Sequence, residues 1–294
     1  MNEAEARERI RELTEQLRQH NYNYYVLSSP VISDYAFDMM LEELVQLEKT
    51  FPQFADPNSP TRRVGGEVTK DFPTVEHTIP MLSLSNTYSE EEVAAFDQRV
   101  RKELTRPPEY VCELKYDGVA ISITYVDGHF VRAVTRGDGT RGDDVSANVK
   151  TIRSVPLRLY GNFPPAFEAR GEIFLPHEGF LKINRDREES GEAPFANPRN
   201  AASGSIKMQD SAEVARRPLS CIFYSINGEG LPHNNHYDNL TEAKKWGLQI
   251  SDYIIKTGSI DELFGFIHEM GSARASLPFD IDGVVIKVNN FTQQ

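Results

Sequence analysis

The chain is poor in sulfur and in positive charge. Only Cys112 and Cys221 occur in its 294 residues, each inside an apolar, strand-like segment. Two isolated thiols exclude a disulfide framework and a zinc site within the chain, and their setting predicts buried core cysteines. No apolar run approaches the ~18 residues of a membrane span, and no basic stretch leads into an apolar one at Met1. A soluble protein of the cytoplasm is expected. Lysine and arginine number 32 against 44 acidic residues, a formal net charge of −12, which argues against a broad basic surface for nucleic acid. Local basic strips remain, at Lys207, Arg216 and Arg217 and at Arg132, Arg136 and Arg141, although solvated faces are usually built this way. There is no internal repeat and no low-complexity tract.

What is present suffices for one large core or two modest ones, since 39% of the residues are hydrophobic. Ile10, Leu13 and Leu17 form one helical stripe within residues 3–19. Ser33-Asp34 caps a second helix carrying Met40, Leu41, Leu44 and Leu47. These two make a helical hairpin. Prolines 52, 57 and 60 and Gly65-Gly66 then give linker composition, and the pattern beyond is strand-rich, which places a domain boundary near residue 68.

Ser89-Glu90-Glu91-Glu92 is a capping-box pattern opening a helix to about Leu104. Strands are predicted from Tyr110, over 119–126 and 129–136 around an Asp127-Gly128 hairpin turn, and at 166–174, 221–226 and 283–288. Helices are predicted over 176–185, 240–246 and 259–269. The mixture is α+β, with an antiparallel-sheet-rich domain after the hairpin.

Gly137-Asp138-Gly139-Thr140-Arg141-Gly142 satisfies G-x-G-x-x-G, the dinucleotide-binding pattern. Its context contradicts that reading, because the strand before it is the second arm of a tight hairpin rather than the first strand of a βαβ unit. Asp138 would also point a carboxylate at a pyrophosphate.

Lys115-Tyr116-Asp117-Gly118 ends an apolar strand and offers an amine flanked by Glu113 and Asp117, a setting suited to a covalent lysine nucleophile. Lys-x-Asp-Gly arises by chance in roughly one chain in fifteen of this length, so its neighbours must decide. Glu113 and Lys115, two apart on a strand, share a face. Gly118 lets the chain turn close to a ligand. Ala169-Arg170-Gly171-Glu172 lies in a second strand, and Asp282-Gly283-Val284-Val285-Ile286-Lys287 opens a third. Taken singly, acids and bases on strands are surface groups, and a tyrosine such as Tyr224 is core.

Together, in that order and spacing, these motifs resemble those of the covalent nucleotidyltransferases, the DNA ligases, RNA ligases and mRNA capping enzymes. Within them the chain is similar over essentially its whole length to the NAD-dependent DNA ligases of bacteria. Pro80 to Asn86, Arg136-Gly137-Asp138-Gly139 and Phe195 to Ala202 carry that narrower likeness. The resemblance implies that Lys115, with Asp117 beside it, attacks the adenosine-side phosphorus of NAD, forms lysyl-AMP and releases nicotinamide mononucleotide. Complete ligases then pass AMP to a nick in duplex DNA, in replication and repair.

By the same resemblance Glu113, Arg136, Glu172, Tyr224 and Lys287 bind the adenosine and phosphate side, and Ser83 and Leu84 are further cofactor-binding residues. Glu172 takes the ribose and Tyr224 stacks on adenine. Asp282 assists Mg²⁺. The hairpin becomes a nicotinamide mononucleotide module (residues 1–68) using Tyr24, Tyr25, Asp34, Phe37 and Asp38, ahead of an adenylation domain (69–294). On residue chemistry alone, Asp34, Phe37 and Asp38 share a helical face, and Phe37 is equally a core residue of an amphipathic helix. Phe37 stands where the family usually has tyrosine, Tyr25 where it often has histidine, and Lys207 where some relatives carry arginine. After Lys287 no further lysine follows, whereas the family continues with another lysine motif, an oligonucleotide-binding barrel, a zinc module, helix-hairpin-helix repeats and a BRCT domain. The expectation is a monomeric adenylation fragment that does not ligate alone. An ATP- or GTP-dependent nucleotidyltransferase and a module that binds NAD without turnover are the alternatives.

Free lysine, with a pKa of ~10.4, is neutral in only about one molecule in a few thousand at pH 7, a handicap of roughly 4 to 5 kcal/mol. Nearby carboxylates increase it, so desolvation or Mg²⁺ is expected to outweigh them.

Overall fold

The structure, a computed structural model, describes residues 2–25, 31–64 and 71–294, with the backbone alone at Tyr24, Tyr25, Asp34 and Val64. Helices α1 (Glu3–Tyr25) and α2 (Asp34–Thr50) form the expected hairpin. Ser33 caps α2 by accepting the Ala36 N–H at 3.2 Å, which satisfies one of the four open donors of the first turn. Ile10, Leu13, Leu17 and Leu44 make its core, with Phe37 packed against them.

The hairpin is held to the rest of the chain by polar contacts. Arg63 donates to the carbonyl oxygens of Ile152 (2.6 Å) and Val155 (2.8 Å), and the Asn58 amide donates to Phe130 O at 3.1 Å. Tyr22 meets Tyr160 edge to face with centroids 5.2 Å apart.

Beyond it, β1 (Thr74–Glu76) and α3 (Glu90–Glu103) precede the lysine strand β2 (Tyr110–Tyr116). The α3 cap is half of the expected box. Ser89 Oγ accepts the Glu92 N–H at 3.2 Å, but Glu92 reaches back to the Tyr88 N–H (2.6 Å) rather than to that of Ser89. Strands β3 (Val119–Val126) and β4 (His129–Thr135) flank Asp127 (φ 49°) and Gly128 (φ 73°), the double left-handed turn that Asp-Gly favours. Strand β5 (Arg141–Asp143) pairs with β1 and α4 (Ser146–Val149) follows. The glycine-rich segment is therefore a turn between antiparallel strands, and β4 leads into β5 rather than into a helix. Asp138 closes that turn by accepting from the Thr140 hydroxyl and from the Arg141 and Thr140 N–H groups, which holds its carboxyl down at about 2.

Strand β6 (Ala166–Phe174), helices α5 (His177–Glu189), α6 (Pro198–Ile206) and α7 (Ser211–Ala215), and strand β7 (Ser220–Asn227) come next. Helix α8 (His236–Lys245), strand β8 (Ile254–Thr257), helix α9 (Ile260–Ala273) and strand β9 (Ile281–Val288) complete the chain. α8 begins four residues before the expected 240, because Asn235 caps it by accepting the Asp238 N–H.

Besides the β1-β5 pair, the strands of the described residues form two larger antiparallel sheets, β8-β2-β9 and β4-β3-β6-β7. The lysine strand and the 119–136 hairpin thus lie in different sheets. β2 belongs to the three-stranded sheet, and Asp117-Gly118 is the crossing to the other. Gly118 serves that crossing: a Cβ there would stand 2.2 Å from the backbone oxygen of Ile173. Its small size is required by a neighbouring strand. The residue before the crossing is anchored, since the Tyr116 ring packs against Phe174 and Phe279 and its buried hydroxyl pairs with Ser251 Oγ at 2.9 Å.

The three-stranded sheet turns Tyr110, Cys112 and Leu114 into a core shared with Val93 of α3 and Leu263, Phe266 and Met270 of α9. The four-stranded sheet buries Ile121, Ile123, Ala169, Ile173 and Phe223 in a larger core with Trp246. Both cysteines are buried and free, as expected.

Candidate functional site

Alternation along β2 leaves Val111, Glu113 and Lys115 on the face opposite Tyr110, Cys112 and Leu114. Antiparallel pairing sets β9 beside it, with Lys287 opposite Val111, Val285 opposite Glu113 and Gly283 opposite Lys115. Val284, Ile286 and Val288 point to the core, so strict alternation would bury residue 282 as well. The phase slips instead. Ile281 is in the core and Asp282 is outside it, with Gly283 at φ +132° and a register shift between Lys115 and Tyr116. The bulge re-aims Asp282 so that its carboxylate accepts from Lys115 Nζ. That bond holds the Asp282 carboxyl below its ordinary range. Both side chains are about half exposed, 44% and 54%.

Next along the crossing, Asp117 accepts from Arg199 Nη1 at 3.0 Å, and its N–H donates to Asp280 O. Arg199 lies in the first turn of α6, whose cap is Asn197. The Glu172 carboxyl on β6 has no hydrogen-bond partner among the described residues. Burial pushes it up to about 7 despite the pull of Arg199, Lys115 and Arg136, with Asp117 adding to the rise. Glu172 and Tyr224, on neighbouring strands, lie on the face of the four-stranded sheet away from its main core.

Deeper in the same strand pair, Glu113 is buried and is the common partner of two bases. Lys287 Nζ forms an ion pair with Glu113 Oε1, and His236 Nε2 lies 3.0 Å from the same oxygen. Burial raises the Glu113 carboxyl, but the Lys287 ammonium and the bonds from His236 and Lys287 outweigh it and leave the net shift downward. Burial and the Lys287 charge lower His236. Lys287 also donates to Tyr224 O at 2.9 Å, and its Nζ stands 5.2 Å from the Tyr224 ring centroid. This bond joins the polar faces of the two sheets.

Glu113, Lys115, Asp117, Arg136, Glu172, Tyr224, Asp282 and Lys287 are thus gathered by β2, β9 and the facing strands. Ser83 and Leu84 lie in an exposed segment without regular structure. That segment is tethered upstream of them, where Met81 N–H donates to Gly139 O and Arg170 donates to the carbonyl oxygens of Ile79 and Pro80. In the hairpin Phe37 is partly buried against the helical core and Asp38 is exposed; among the described residues no hydrogen bond or ion pair joins either to the Lys115 group. The expectations for the side chains of Tyr24, Tyr25 and Asp34 lie outside the described residues. Lys207 pairs with Asp143 at 2.8 Å.

Two members were not singled out from the sequence. Arg199 stood in view within Phe195 to Ala202, and its value shows only once α6 brings it to Asp117. His236 carries no local signal at all, being one of the chain's seven histidines and set in a polar run.

Among the described residues no three His, Cys, Asp or Glu side chains converge as a metal cage. Mg²⁺ needs none, since it binds through one or two carboxylates together with phosphate oxygens and water. The half-exposed Asp282 carboxylate suits that mode. No helix among the described residues is long and apolar enough to cross a membrane.

Comparison with known proteins agrees with this geometry. Residues 69–294 match the family described as NAD-dependent DNA ligase adenylation domain, and residues 3–65 match DNA ligase-like, N-terminal NAD+-binding domain. The chain is 56% identical over 290 residues to a DNA ligase of Christiangramia forsetii, covering 99% of this chain and 44% of that protein. It is 55% identical over 287 residues to one of Parabacteroides distasonis (97% and 43%) and 53% identical over 289 to one of Bacteroides fragilis (98% and 44%). The chain therefore spans less than half the length of the curated relatives it matches. With its strand-end lysine, its α+β fold and its adenylation-domain match over more than two thirds of its residues, the chain belongs to the family of NAD-dependent DNA ligase adenylation domains.

Proposed function

We propose that this chain performs the first half-reaction of DNA nick sealing, transfer of AMP from NAD to Lys115. The observation that supports it most is the grouping of one half-exposed lysine, its ion-pair partner Asp282 and the Glu172 carboxyl beside them, which has no hydrogen-bond partner among the described residues. NAD acts as a substrate, cleaved in the step. Once the ion pair to Asp282 opens, the Lys115 amine gives its lone pair to the AMP phosphorus. An N–P bond forms, and the P–O bond to nicotinamide mononucleotide breaks with its electron pair. The ammonium first loses one proton by way of Asp282 to solvent, and the nitrogen loses a second to solvent once the N–P bond has formed.

Glu172, partly buried and without a hydrogen-bond partner among the described residues, suits a ribose hydroxyl as donor, because a poorly solvated polar group left unpaired costs stability that a ligand hydrogen bond recovers. Tyr224 offers a ring face to the base, and Lys287 a cation to its edge. Arg136 and Arg199 bring positive charge to the phosphates. When bound at Asp282 and the phosphate oxygens, Mg²⁺ would neutralise charge building on the phosphoryl group.

The hairpin, through about residue 68, is assigned to the nicotinamide half, with Asp34 and Asp38 as hydroxyl acceptors and Tyr24, Tyr25 and Phe37 as stacking surface. Ser83 and Leu84 are assigned to the adenosine side, where their tethered segment can fold over the ligand. We assign the protein to the cytoplasm as a monomer, with nicked duplex DNA as the partner of the longer protein.

Intact-mass measurement after incubation with NAD or ATP, with Mg²⁺ or a chelator, tests this. A single AMP adduct from NAD that needs Mg²⁺ is expected. An adduct from ATP instead would move the chain to another donor class, and reversible NAD binding without adduct would leave a non-catalytic module.

A further inference from the structure

We infer that His236 is a positioning residue that sets the selectivity of the site for adenine, by holding Glu113 so that the Lys287 ammonium keeps one donor directed at the base. The inference rests on the proposed adenylation by NAD and adds a residue to it.

Hydrogen-bond accounting carries it. An ammonium has three N–H donors and no acceptor, and a carboxylate only accepts. Lys287 spends one donor on Glu113 and one on Tyr224 O. His236 Nε2, 3.0 Å from Glu113 Oε1, must carry the ring proton, since only then does this contact become a hydrogen bond. Its 3.4 Å approach to Lys287 Nζ is then donor against donor and no bond. One N–H of Lys287 is left for a ligand. It meets an acceptor well and a donor badly. Adenine presents a bare ring nitrogen on its pairing edge, whereas hypoxanthine presents N–H at the same place.

His236 is fixed more firmly than the group it serves. It opens α8, its own N–H donates to Asn289 O at 2.8 Å, and Asn289 Oδ1 accepts the next N–H, from Tyr237. Asn289 in turn donates its backbone N–H to Glu109 O, one residue before β2. The start of α8 is therefore tied to the ends of both strands that carry Glu113 and Lys287. A helix start also favours a neutral imidazole over a charged one, in line with the downward shift of His236. A neutral His236 stabilises the ionised Glu113 without competing with Lys287 for charge. Without it, Glu113 is held by Lys287 alone, and the long lysine chain gains freedom that weakens a directed contact.

The test compares His236→Leu, which fills the space without a donor, and His236→Gln, whose amide can place N–H near the position of Nε2. Single-turnover formation of lysyl-AMP is followed by intact mass with NAD and with its hypoxanthine analogue. For His236→Leu the half-saturating NAD concentration should rise at least about tenfold, with the maximal rate within about threefold of wild type. The preference for NAD over the hypoxanthine analogue should fall at least about fivefold. His236→Gln should recover most of both. Melting curves report folding, and should His236→Leu not fold, the comparison of His236→Gln with His236→Asn, whose shorter amide falls short of Glu113, decides in its place. A variant that loses maximal rate with an unchanged preference overturns the inference, as does a His236→Leu protein indistinguishable from wild type. If wild type itself forms no adduct from NAD, the enzymatic reading fails and the inference falls with it.

Discussion

Two lysines on one pair of strands have opposite circumstances. Lys287 on β9 is mostly buried, pairs with Glu113, donates to Tyr224 O and lies under a buried histidine. Lys115 on β2 is about half exposed and, among the described residues, has the single partner Asp282, itself half exposed. The same residue type with the same kind of acid is thereby put to two uses. A desolvated ion pair is costly to break and fixes geometry, whereas a surface pair is weak and exchanges with solvent. In the proposed reaction, recognition uses the first and nucleophilic attack the second.

The comparison breaks most completely at the nucleophile. Lys115→Ala should abolish the AMP adduct, and Lys115→Arg should do the same because a guanidinium is never appreciably neutral. Both should melt within a few degrees of wild type, since a half-exposed side chain carries little packing. An adduct surviving in Lys115→Ala, seen by intact mass, would remove Lys115 from its role.

The stability contrast comes second. Glu113→Ala leaves Lys287 and His236 facing each other without their shared acceptor, and should lower the unfolding free energy by about 3 to 5 kcal/mol. Asp282→Ala, at a solvent-screened pair, should cost no more than about 1 kcal/mol. Urea titration of the two variants measures both. Equal losses would mean that the two pairs are not of different kinds.

A smaller effect is expected in the hairpin. Asp38→Asn should reduce adenylation by NAD at least about tenfold, a factor worth ~1.4 kcal/mol, with a melting point within a few degrees of the parent. The reverse reaction, from lysyl-AMP and nicotinamide mononucleotide, should weaken in parallel because the same contacts serve both directions. Wild-type rates in both directions would return Asp38 to the surface.

Glu172 gives the mildest signal and a defined pH window. Its carboxyl titrates near 7 in the folded protein against an ordinary 4.5, so the folded state holds the proton more tightly than the unfolded chain. The stability linked to that proton is complete below 4.5 and is lost as pH rises through about 7. Between those limits Glu172→Gln should flatten part of the decline in unfolding free energy measured by denaturant titration. An unchanged slope would show that Arg199, Arg136 and Lys115 already stabilise the ionised form.

Much of the fold was legible because it is local. Asp127-Gly128 names its own turn, Ser33 and Ser89 name their caps, and 166–174 reads as a strand from its β-prone residues. α6 was missed because Gly204 and several small residues dilute its pattern. β8 was missed because four residues give no period to count. The sheet to which the lysine strand belongs is not legible for a different reason. Nearest-neighbour pairing is the natural guess from sequence, and β2 instead pairs with β8 and β9, far along the chain.

The sequence by itself determined which chemistry is available. The order Lys115 to Gly118, Ala169 to Glu172 and Asp282 to Lys287 is written in side-chain types, and a two-residue period places Glu113 and Lys115 on one face. Only the tertiary structure decided how those groups divide the work. The slip at Gly283 turns Asp282 toward Lys115, α6 carries Arg199 to Asp117, and α8 seats His236 on Glu113. Burial makes the final distinction, because the same charge is cheap in water and costly beneath a sheet, and no local stretch of residues records where the solvent will be.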